Sequence, residues 1–303
     1  MESVLVVGTV SNVAKSLKND ITKIYNSLVR FDRVYFFLVE SDSDDNTLEI
    51  LDRISSDFLD FEYISLGRLK TNVLDRVERI RYCRNVYVNK IRNTEFAITP
   101  KFTIVADLDN INNKLSAESI NSCFLRSDWD VVLPNQTQGY YDIFALRSKG
   151  WQEGDCFQEL LKYRLENPFI PKSRIKFINS IKHHLYFDSS QNKCVYSKML
   201  KLKKNQNWIP VLSGFGGIAI YKTEIFFEFD YTDDGRFTKQ SEHVSLNTKI
   251  VESGKNISIN PSFINCNVNT YNINRYFLIR QIRKSIWYKQ LLNILKSSDK
   301  KLT

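Results

Sequence analysis

FTIVADLDN, residues 102–110, joins a short apolar run to two carboxylates. Its β-branched and aromatic residues predict a buried strand that ends at Asp107. Because side chains alternate along an extended segment, Asp107 and Asp109 are expected to point the same way while Leu108 packs behind them. Paired carboxylates repel unless a cation lies between them, and Mg²⁺ or Mn²⁺ accepts one or two carboxylates together with phosphate oxygens and water. The stretch therefore predicts either a divalent-cation site suited to a nucleotide diphosphate or a simple strand-ending turn, which Asp and Asn also favour.

Length and composition indicate one large globular domain. The chain has 303 residues, of which 43% are hydrophobic and 25% charged, so it can bury a sizeable core. We expect a catalytic domain over residues 1–270 and an appendage over residues 271–303. No apolar run reaches the roughly 18 residues of a spanning helix, and the first residues, MESVLVVGTV, lack a basic leader, so a cytoplasmic location is expected. The five cysteines are scattered singly, which favours buried free thiols over a zinc site.

The positive charge is concentrated in the appendage. Residues 275–303 contain eight Lys or Arg and one acid, and so carry +7 of the formal net charge of +9. Their apolar residues fall on two nearly opposite helical faces, one with Leu278 and Ile282 and the other with Trp287 and Leu291. We expect a basic amphipathic helical tail that packs one face on the catalytic domain and places the other on the anionic inner face of a membrane; a helix pair or a homodimer contact is the alternative. Nucleic-acid binding is disfavoured because only the tail is basic.

Apolar strands alternate with amphipathic helices along the chain. This order predicts a mostly parallel sheet flanked by helices, with ligands at the carboxyl edge of the strands. Gly8 stands alone after the first strand, so no dinucleotide fingerprint is present. Strands are predicted at residues 4–8, 34–40, 61–66, 102–106, 129–134 and 141–147, and a further strand begins at the glycines within residues 208–221. Helices are predicted at residues 13–29, 47–58, 73–91 and 157–165.

Charged residues follow the second strand and lie on the third predicted helix. Asp42 and Asp45 follow the carboxyl edge, where they could hold a base or ribose, although a solvated acidic loop is equally consistent. Glu40, at the end of the strand, is better placed for this role. Arg79, Arg81 and Arg84 form a cluster that could neutralise a diphosphate. Their spacing does not place all three on one helical face, so one of them is expected to point into the site, and a solvated basic face is the alternative.

Glycines and a helix start mark the last part of the domain. Gly216 and Gly217 lie where a strand begins, which suits either close approach to a ligand or a bulge. Ser241 is placed as an N-cap, so Glu242 and His243 would open a helix. Glu242 there is either a base held ionised by the helix dipole or an ordinary capping or acceptor-binding residue.

These pieces together resemble GT-A-fold nucleotide-sugar glycosyltransferases, and most closely the fungal capsular α-mannosyltransferase family and its bacterial relatives. The resemblance covers roughly residues 3–265 in the family's order. The motifs that carry it are VESDSDDNT after the second strand, RIRYCRN at residues 79–85, ADLDN, YYDIFALR, SGFGGIAIY and SEHV.

The resemblance implies a GT-A-type, Rossmann-like fold and transfer of a hexosyl group from a nucleotide-diphosphate sugar to a glycan or lipid-linked glycan acceptor in surface polysaccharide synthesis. It implies Mn²⁺ or Mg²⁺ as the cofactor, with Asp107 and Asp109 as metal ligands and His243 as a late ligand. It also places Glu242 near the position of the base in inverting members. From the resemblance together with the residue patterns above, we expect the donor to be bound by Glu40, Asp42, Arg79, Arg84, Asp107, Gly216 and Gly217.

Two other functional classes use some of the same residues. A sugar nucleotidyltransferase also uses strand-end aspartates with Mg²⁺, but it needs a Gly- and Lys-rich loop after the first strand, which residues 8–12 do not provide. A non-catalytic nucleotide-sugar binding protein could retain the same aspartates without turnover.

Overall fold

The computed structural model describes residues 2–171, 176–269 and 271–276. Its centre in that part of the chain is an eight-stranded sheet. Six of these strands are mostly buried, as their Val-, Ile-, Leu- and Phe-rich sequences predict. The strands are β1 (Ser3–Val10), β2 (Arg33–Glu40), β3 (Phe61–Ser65), β4 (Phe102–Ala106), β5 (Val131–Gln136), β6 (Ile209–Pro210), β7 (Ile218–Lys222) and β8 (Ile257–Cys266).

The sheet is mixed and mostly parallel, in the order β3-β2-β1-β4-β7-β5-β8-β6. Strands β1 to β4 form one parallel block. Strand β7 runs antiparallel between β4 and β5, β8 is parallel to β5, and β6 pairs antiparallel with β8. The predicted fold class, a mostly parallel sheet flanked by helices, is confirmed.

Helices cover both faces of this sheet. Val4 and Val6 of β1 belong to one apolar cluster and Leu5 and Val7 to another, because alternate side chains leave a strand on opposite sides. Helices α1, α2 and α4 contribute to the first cluster, and α3, α5, α7 and α8 to the second. The helices are α1 (Leu17–Ser27), α2 (Thr47–Asp57), α3 (Arg76–Arg92), α4 (Ala117–Asn121), α5 (Cys156–Glu166), α6 (Lys176–Cys194), α7 (Ile225–Glu228) and α8 (Glu242–Glu252).

Strand β4 lies at the middle of the sheet, between β1 and β7. All five of its residues are buried. At its end it approaches β1 so closely that a Cβ at Gly8 would lie 2.5 Å from the Ala106 carbonyl oxygen. Gly8 is therefore a packing requirement of the sheet, and this packing places Asp107 at the same edge as the ends of β1 and β2.

One of the predicted strands was wrong. Residues 141–147 form a turn rather than a strand, because the Asp142 carboxylate accepts hydrogen bonds from the backbone N–H groups of Ala145 and Gly216 and curls the chain. A strand was predicted to begin at the glycines, and β7 begins at Ile218 directly after Gly216 and Gly217, whose φ angles are +77° and +90°. Helix α6 was not predicted.

The remaining expectations concern the cysteines, membrane-spanning helices and the basic tail. The five cysteines are free and buried, as predicted. None of the helices in the described ranges is both long and apolar enough to cross a membrane. Residues 277–303, and with them nearly all of the predicted basic tail, lie outside the described residues. Residues 272–275 form a short 3₁₀ turn.

Candidate functional site

A cavity of about 690 Å³ opens at the carboxyl edge of β1, β2 and β4. This volume is within the range of small-molecule sites, and the edge is where parallel sheets bind ligands. Its lining residues divide into a polar group and an aromatic group. The polar and charged ones include Thr9, Ser11, Asp42, Arg76, Arg79, Arg84, Asp107, Asp109, Asp142, Glu242 and His243, and the aromatic ones are Tyr141, Phe144, Phe157, Tyr196, Phe215 and Tyr271.

Asp42 and Arg79 form one corner of the cavity. Asp42 has a φ of +63° just after β2, and its carboxylate accepts a hydrogen bond from the Lys70 backbone N–H at 2.8 Å. Arg79 Nε lies 3.5 Å from the other Asp42 oxygen, while Nη1 donates to the backbone carbonyls of Val73 and Leu74. These bonds hold both side chains at the cavity wall without a ligand.

Asp107 and Asp109 both line the cavity, and Leu108 between them is buried. The Asp107 backbone is anchored on both sides, since its N–H donates to the Gly217 carbonyl and its C=O accepts from Asn112 Nδ2. Burial raises the pKa of both carboxyls. At Asp107 the charge of Arg84 opposes this rise, whereas the nearby charges of Asp109, Glu242 and Asp142 add to it. The site is therefore crowded with negative charge and favours a cation.

Arg84 is the buried cation of the site. Its Nε donates to Glu242 Oε1 at 2.9 Å, and its Nη2 lies 3.4 Å from Asp107 Oδ1. Its Nη1 donates to the Tyr87 hydroxyl, which in turn bonds to Tyr231 at 2.9 Å. One guanidinium thus links α3, the end of β4 and the start of α8. Two members of the predicted arginine cluster, Arg79 and Arg84, line the cavity, where one was expected.

The other predicted arginine, Arg81, turns away from the cavity. It pairs with Glu78 at 2.9 Å and lies 3.6 Å from Asp233, beside a separate shallow pocket. The three arginines occupy different faces of α3, as their spacing indicated.

His243 is 2% exposed and stacks on Phe215 with 3.8 Å between ring centroids. Neither ring nitrogen has a hydrogen-bond partner among the described residues. Nε2 lies 3.5 Å from Glu242 Oε1. Burial, reinforced by the charge of Arg84, lowers the pKa of His243 well below its ordinary value, so the imidazole is neutral. A neutral imidazole with unpaired nitrogens at a cavity wall is suited to bind a metal.

Asp142 is a site residue that the sequence analysis missed. It lines the cavity, and burial raises its pKa although two backbone N–H groups oppose the rise. The sequence signal was present in YYDIFALR, where we interpreted the alternation as a strand. Beside it, the rings of Tyr141 and Tyr271 stack with 5.3 Å between centroids, so an aromatic wall faces the carboxylates.

Three predicted donor-binding residues lie behind the cavity wall. Glu40 does not line the cavity; its carboxylate accepts from the Ser65 hydroxyl and from the Ser43 backbone N–H, so it holds the loop that carries Asp42. The prediction for Glu40 is wrong because the strand-end carboxylate turns inward to these donors. A Cβ at Gly217 would lie 2.8 Å from the Tyr141 hydroxyl, and one at Gly216 would lie 2.9 Å from Gln136 Nε2, so both glycines make room for neighbouring side chains.

The aspartates fit a divalent cation that is shared with a ligand. In the described part of the chain, no three or more His, Cys, Asp or Glu side chains form a group that could hold a metal ion by themselves. Mg²⁺ usually takes only one or two carboxylates, with phosphate oxygens and water as its other ligands. Asp107 and Asp109 supply that number, and the cavity that they line also holds the carboxyl groups of Asp142 and Glu242, so such an ion would lie among acidic side chains.

The chain is similar to three solved structures. One is the mannosyltransferase PcManGT from Pyrobaculum calidifontis in complex with GDP-Man and Mn²⁺, with 14% identity, a TM-score of 0.46, and coverage of 87% of this chain and 56% of that one. Another is residues 1–349 of S. aureus TarS, with 14% identity, a TM-score of 0.41, and coverage of 86% of this chain and 58% of that one. The third is the same protein in complex with UDP-GlcNAc, with 15% identity, a TM-score of 0.42, and coverage of 86% of this chain and 56% of that one.

The chain thus spans between 56% and 58% of the length of these chains. No protein-family model and no curated protein matches it. Similarity at this level leaves the chemistry to be argued from the residues of this chain.

Proposed function

We propose that this chain is a GT-A-type, metal-dependent glycosyltransferase that moves a sugar from a nucleotide-diphosphate sugar to a glycan or lipid-linked glycan acceptor in surface polysaccharide synthesis. One observation carries the proposal. Asp107, Asp109, Asp142 and Glu242 line one cavity at the carboxyl edge of a parallel block, and Arg84 contacts two of them, Glu242 at 2.9 Å and Asp107 at 3.4 Å. Departure of a diphosphate from a sugar requires its charge to be neutralised, and a cation site with an additional positive charge beside it is suited to that.

The leaving diphosphate would lie against Asp107 and Asp109. When bound there, Mn²⁺ or Mg²⁺ would supply Lewis-acid neutralisation of the leaving charge. Arg84 already carries a positive charge beside Asp107 and would add to that neutralisation. Asp42 and Arg79, fixed at the adjoining corner, would bind the nucleoside part of the donor.

Glu242 would act on the acceptor. Its Oε1 accepts a hydrogen bond from Arg84 at 2.9 Å, and Oε2 is then the oxygen able to take a proton from an acceptor hydroxyl. His243 lies 3.5 Å from the same carboxylate, but it forms no three-residue metal group with Asp107 and Asp109, so its role as the late metal ligand stays a prediction.

The nucleotidyltransferase alternative receives no support from β1. Gly8 lies within that strand, and a Cβ there would lie 2.5 Å from the Ala106 carbonyl oxygen, so this glycine serves packing instead of a triphosphate loop.

A thermal-shift panel tests the donor class. GDP-mannose and UDP-N-acetylglucosamine, each with Mn²⁺, are the first donors to compare, since a ligand bound only by the folded state adds about 2.7 kcal/mol of stability at a hundredfold excess over Kd. We expect the melting temperature to rise with at least one donor plus Mn²⁺, and to rise far less when EDTA replaces Mn²⁺. A melting temperature unmoved by every nucleotide sugar and by GDP or UDP with Mn²⁺ would contradict the proposal.

Glu242→Gln tests the base. Glutamine keeps the size of the side chain and a carbonyl oxygen for the Arg84 bond but cannot accept the proton, so donor binding should persist while transfer falls by about a hundredfold or more. The matched control is Glu252→Gln at the exposed end of the same helix, where the carboxylate pairs with Arg236. Near-normal transfer by the Glu242 variant would instead indicate a retaining route in which the leaving phosphate oxygen takes the proton.

A further inference from the structure

The chain around Asp109 is held by two side chains at the start of α1. None of the residue pairs that β4 forms with β1 and β7 includes Asp109, so other contacts fix its backbone. The Ser16 hydroxyl donates to the Leu108 carbonyl at 2.9 Å. The Asp20 carboxylate accepts a hydrogen bond from the Asn110 backbone N–H at 2.8 Å. These bonds reach the carbonyl of the peptide group before Asp109 and the N–H of the peptide group after it.

Bonds to both of these peptide groups determine where the Asp109 side chain points. Each peptide group is a rigid plane, and the orientations of the two planes that flank a residue set its φ and ψ angles and the direction of its Cβ. Because the start of one helix binds both planes, the Asp109 side chain leaves the backbone in a direction that α1 determines. That direction leads into the cavity, which Asp109 lines together with Asp107.

Helix α1 is itself anchored to the sheet. Ser16 and Asp20 are four residues apart, so they lie on the same side of the helix. The neighbouring side carries Leu17, Ile21 and Ile24, which are at most 4% exposed and belong to an apolar cluster shared with β1 and β4. The two polar side chains therefore bind the chain around Asp109 from a fixed support.

Asp20 differs from an ordinary acidic residue at a helix start. Such residues favour the helix through its dipole while they remain in contact with water. Asp20 is instead 2% exposed, and the N–H that it binds belongs to a residue 90 positions away. Burial raises the pKa of Asp20 to about 6, the Asn110 N–H opposes that rise, and the charge of Asp109 adds to it. A buried carboxylate reduces stability unless it is hydrogen-bonded, so the bond to Asn110 accounts for an acid at this position.

We propose that Ser16 and Asp20 are positioning residues of the cation site, which hold the Asp109 carboxylate in place for a divalent ion shared with Asp107. The inference rests on the proposed function, because it takes these two aspartates as the ligands of Mn²⁺ or Mg²⁺. Asp107 is held by other bonds, among them one from Asn112 Nδ2 to its carbonyl at 2.8 Å. Loss of the α1 bonds should therefore displace one ligand and leave the other in place. Removal of a group that orients a metal ligand typically lowers metal affinity about 10- to 100-fold.

Isothermal titration of GDP or UDP with Mn²⁺ into the full chain tests this role. Asp20→Leu keeps much of the side-chain volume but cannot accept the Asn110 N–H, so the Mn²⁺-dependent affinity should fall at least about tenfold. Asp20→Asn keeps an accepting oxygen and should retain most of the affinity. Ser16→Ala removes the bond to the Leu108 carbonyl and should lower the affinity about threefold.

Ser27→Ala is the matched control for Ser16→Ala. The Ser27 hydroxyl is also buried on α1, but it donates to the Ile24 carbonyl of the same helix, so its loss should leave nucleotide binding unchanged. Hydrogen exchange of the metal-free proteins gives a second measurement. Exchange of the Asn110 amide should be faster in Asp20→Leu than in the unchanged protein and in Asp20→Asn, while the amides of β4 keep their protection, which separates a local loss from unfolding.

The outcomes distinguish this inference from the proposed function. If the unchanged protein binds GDP or UDP with Mn²⁺ and both Asp20→Leu and Ser16→Ala bind as tightly, the positioning role is overturned and the proposed function stands. An equal loss of affinity in Asp20→Asn and Asp20→Leu would also overturn it, because asparagine keeps the accepting oxygen. If Asp20→Leu does not fold, the comparison of Ser16→Ala with Ser27→Ala decides. Absence of binding by the unchanged protein would contradict both proposals.

Discussion

Asp107→Asn and Asp109→Asn should each abolish Mn²⁺-dependent donor binding at near-neutral pH and lower sugar transfer at least about a thousandfold. The reason is that neutralisation of the leaving diphosphate is worth several kcal/mol, and each 1.4 kcal/mol or so is a factor of about ten in rate. Asparagine keeps the shape of the side chain but loses the charge that holds the cation. Isothermal titration of GDP or UDP with Mn²⁺ into each variant measures the binding, and a transfer assay measures the rate.

The same substitutions should leave the fold intact. Burial raises the pKa of both carboxyls above the unfolded value, so the folded state binds their protons more tightly than the unfolded state does. Such a group reduces the stability of the folded state once it is ionised, and the loss is complete at pH values above both its unfolded and its folded pKa. Asparagine cannot ionise, so the metal-free variants should melt no lower than the unchanged protein at neutral pH. Asp128→Asn, at an exposed carboxylate paired with Arg126, is the matched control. Unchanged affinity for the diphosphate with Mn²⁺ in both cavity variants would exclude these aspartates as the cation site.

The parallel block of the fold could be predicted from local pattern. Strands β1, β2 and β4 are short runs of apolar residues, whose burial follows from their own side chains. The helices between them have apolar residues at every third or fourth position. The end of β4 was predicted for the same reason. The alternation of side chains along one strand predicts that Asp107 and Asp109 face the same side. These features depend on residues close in the sequence.

The parts that could not be predicted depend on distant residues. Arg84 and Glu242 are 158 positions apart, and only the packing of α3 against α8 brings them to 2.9 Å. Asp142 was missed because its turn is held by Gly216, which is 74 positions away. Glu40 was assigned to the cavity because its position at the end of β2 was visible, whereas the Ser65 hydroxyl that draws it inward was not.

Arg84→Met should destabilise the protein by about 3 to 5 kcal/mol at neutral pH, because it leaves the buried carboxylate of Glu242 and the half-buried carboxylate of Asp107 without their cation. Methionine fills much of the arginine stem's volume, so a cavity is not the main cause. Urea unfolding without divalent metal measures the loss. Arg147→Met is the control, since Arg147 forms another buried pair, with Asp155 at 3.3 Å, away from the cavity lining. It should also destabilise the protein, but its folded fraction should keep the donor-induced thermal shift with Mn²⁺.

Coupling between Arg84 and Glu242 distinguishes an ion pair from simple packing. Adding Glu242→Gln to Arg84→Met removes the carboxylate charge that Arg84→Met leaves without a cation. The double variant should therefore lose about 1 to 3 kcal/mol less stability than the sum of the two single losses. Mn²⁺ with a nucleoside diphosphate should also recover part of the stability of Arg84→Met, because an ion at Asp107 and Asp109 replaces one of the lost positive charges near Asp107. Single losses that add to within about 0.5 kcal/mol would show that Arg84 and Glu242 act independently. The arginine would then be a packing residue of α3, and the charge neutralisation assigned to it would fall to the cation alone.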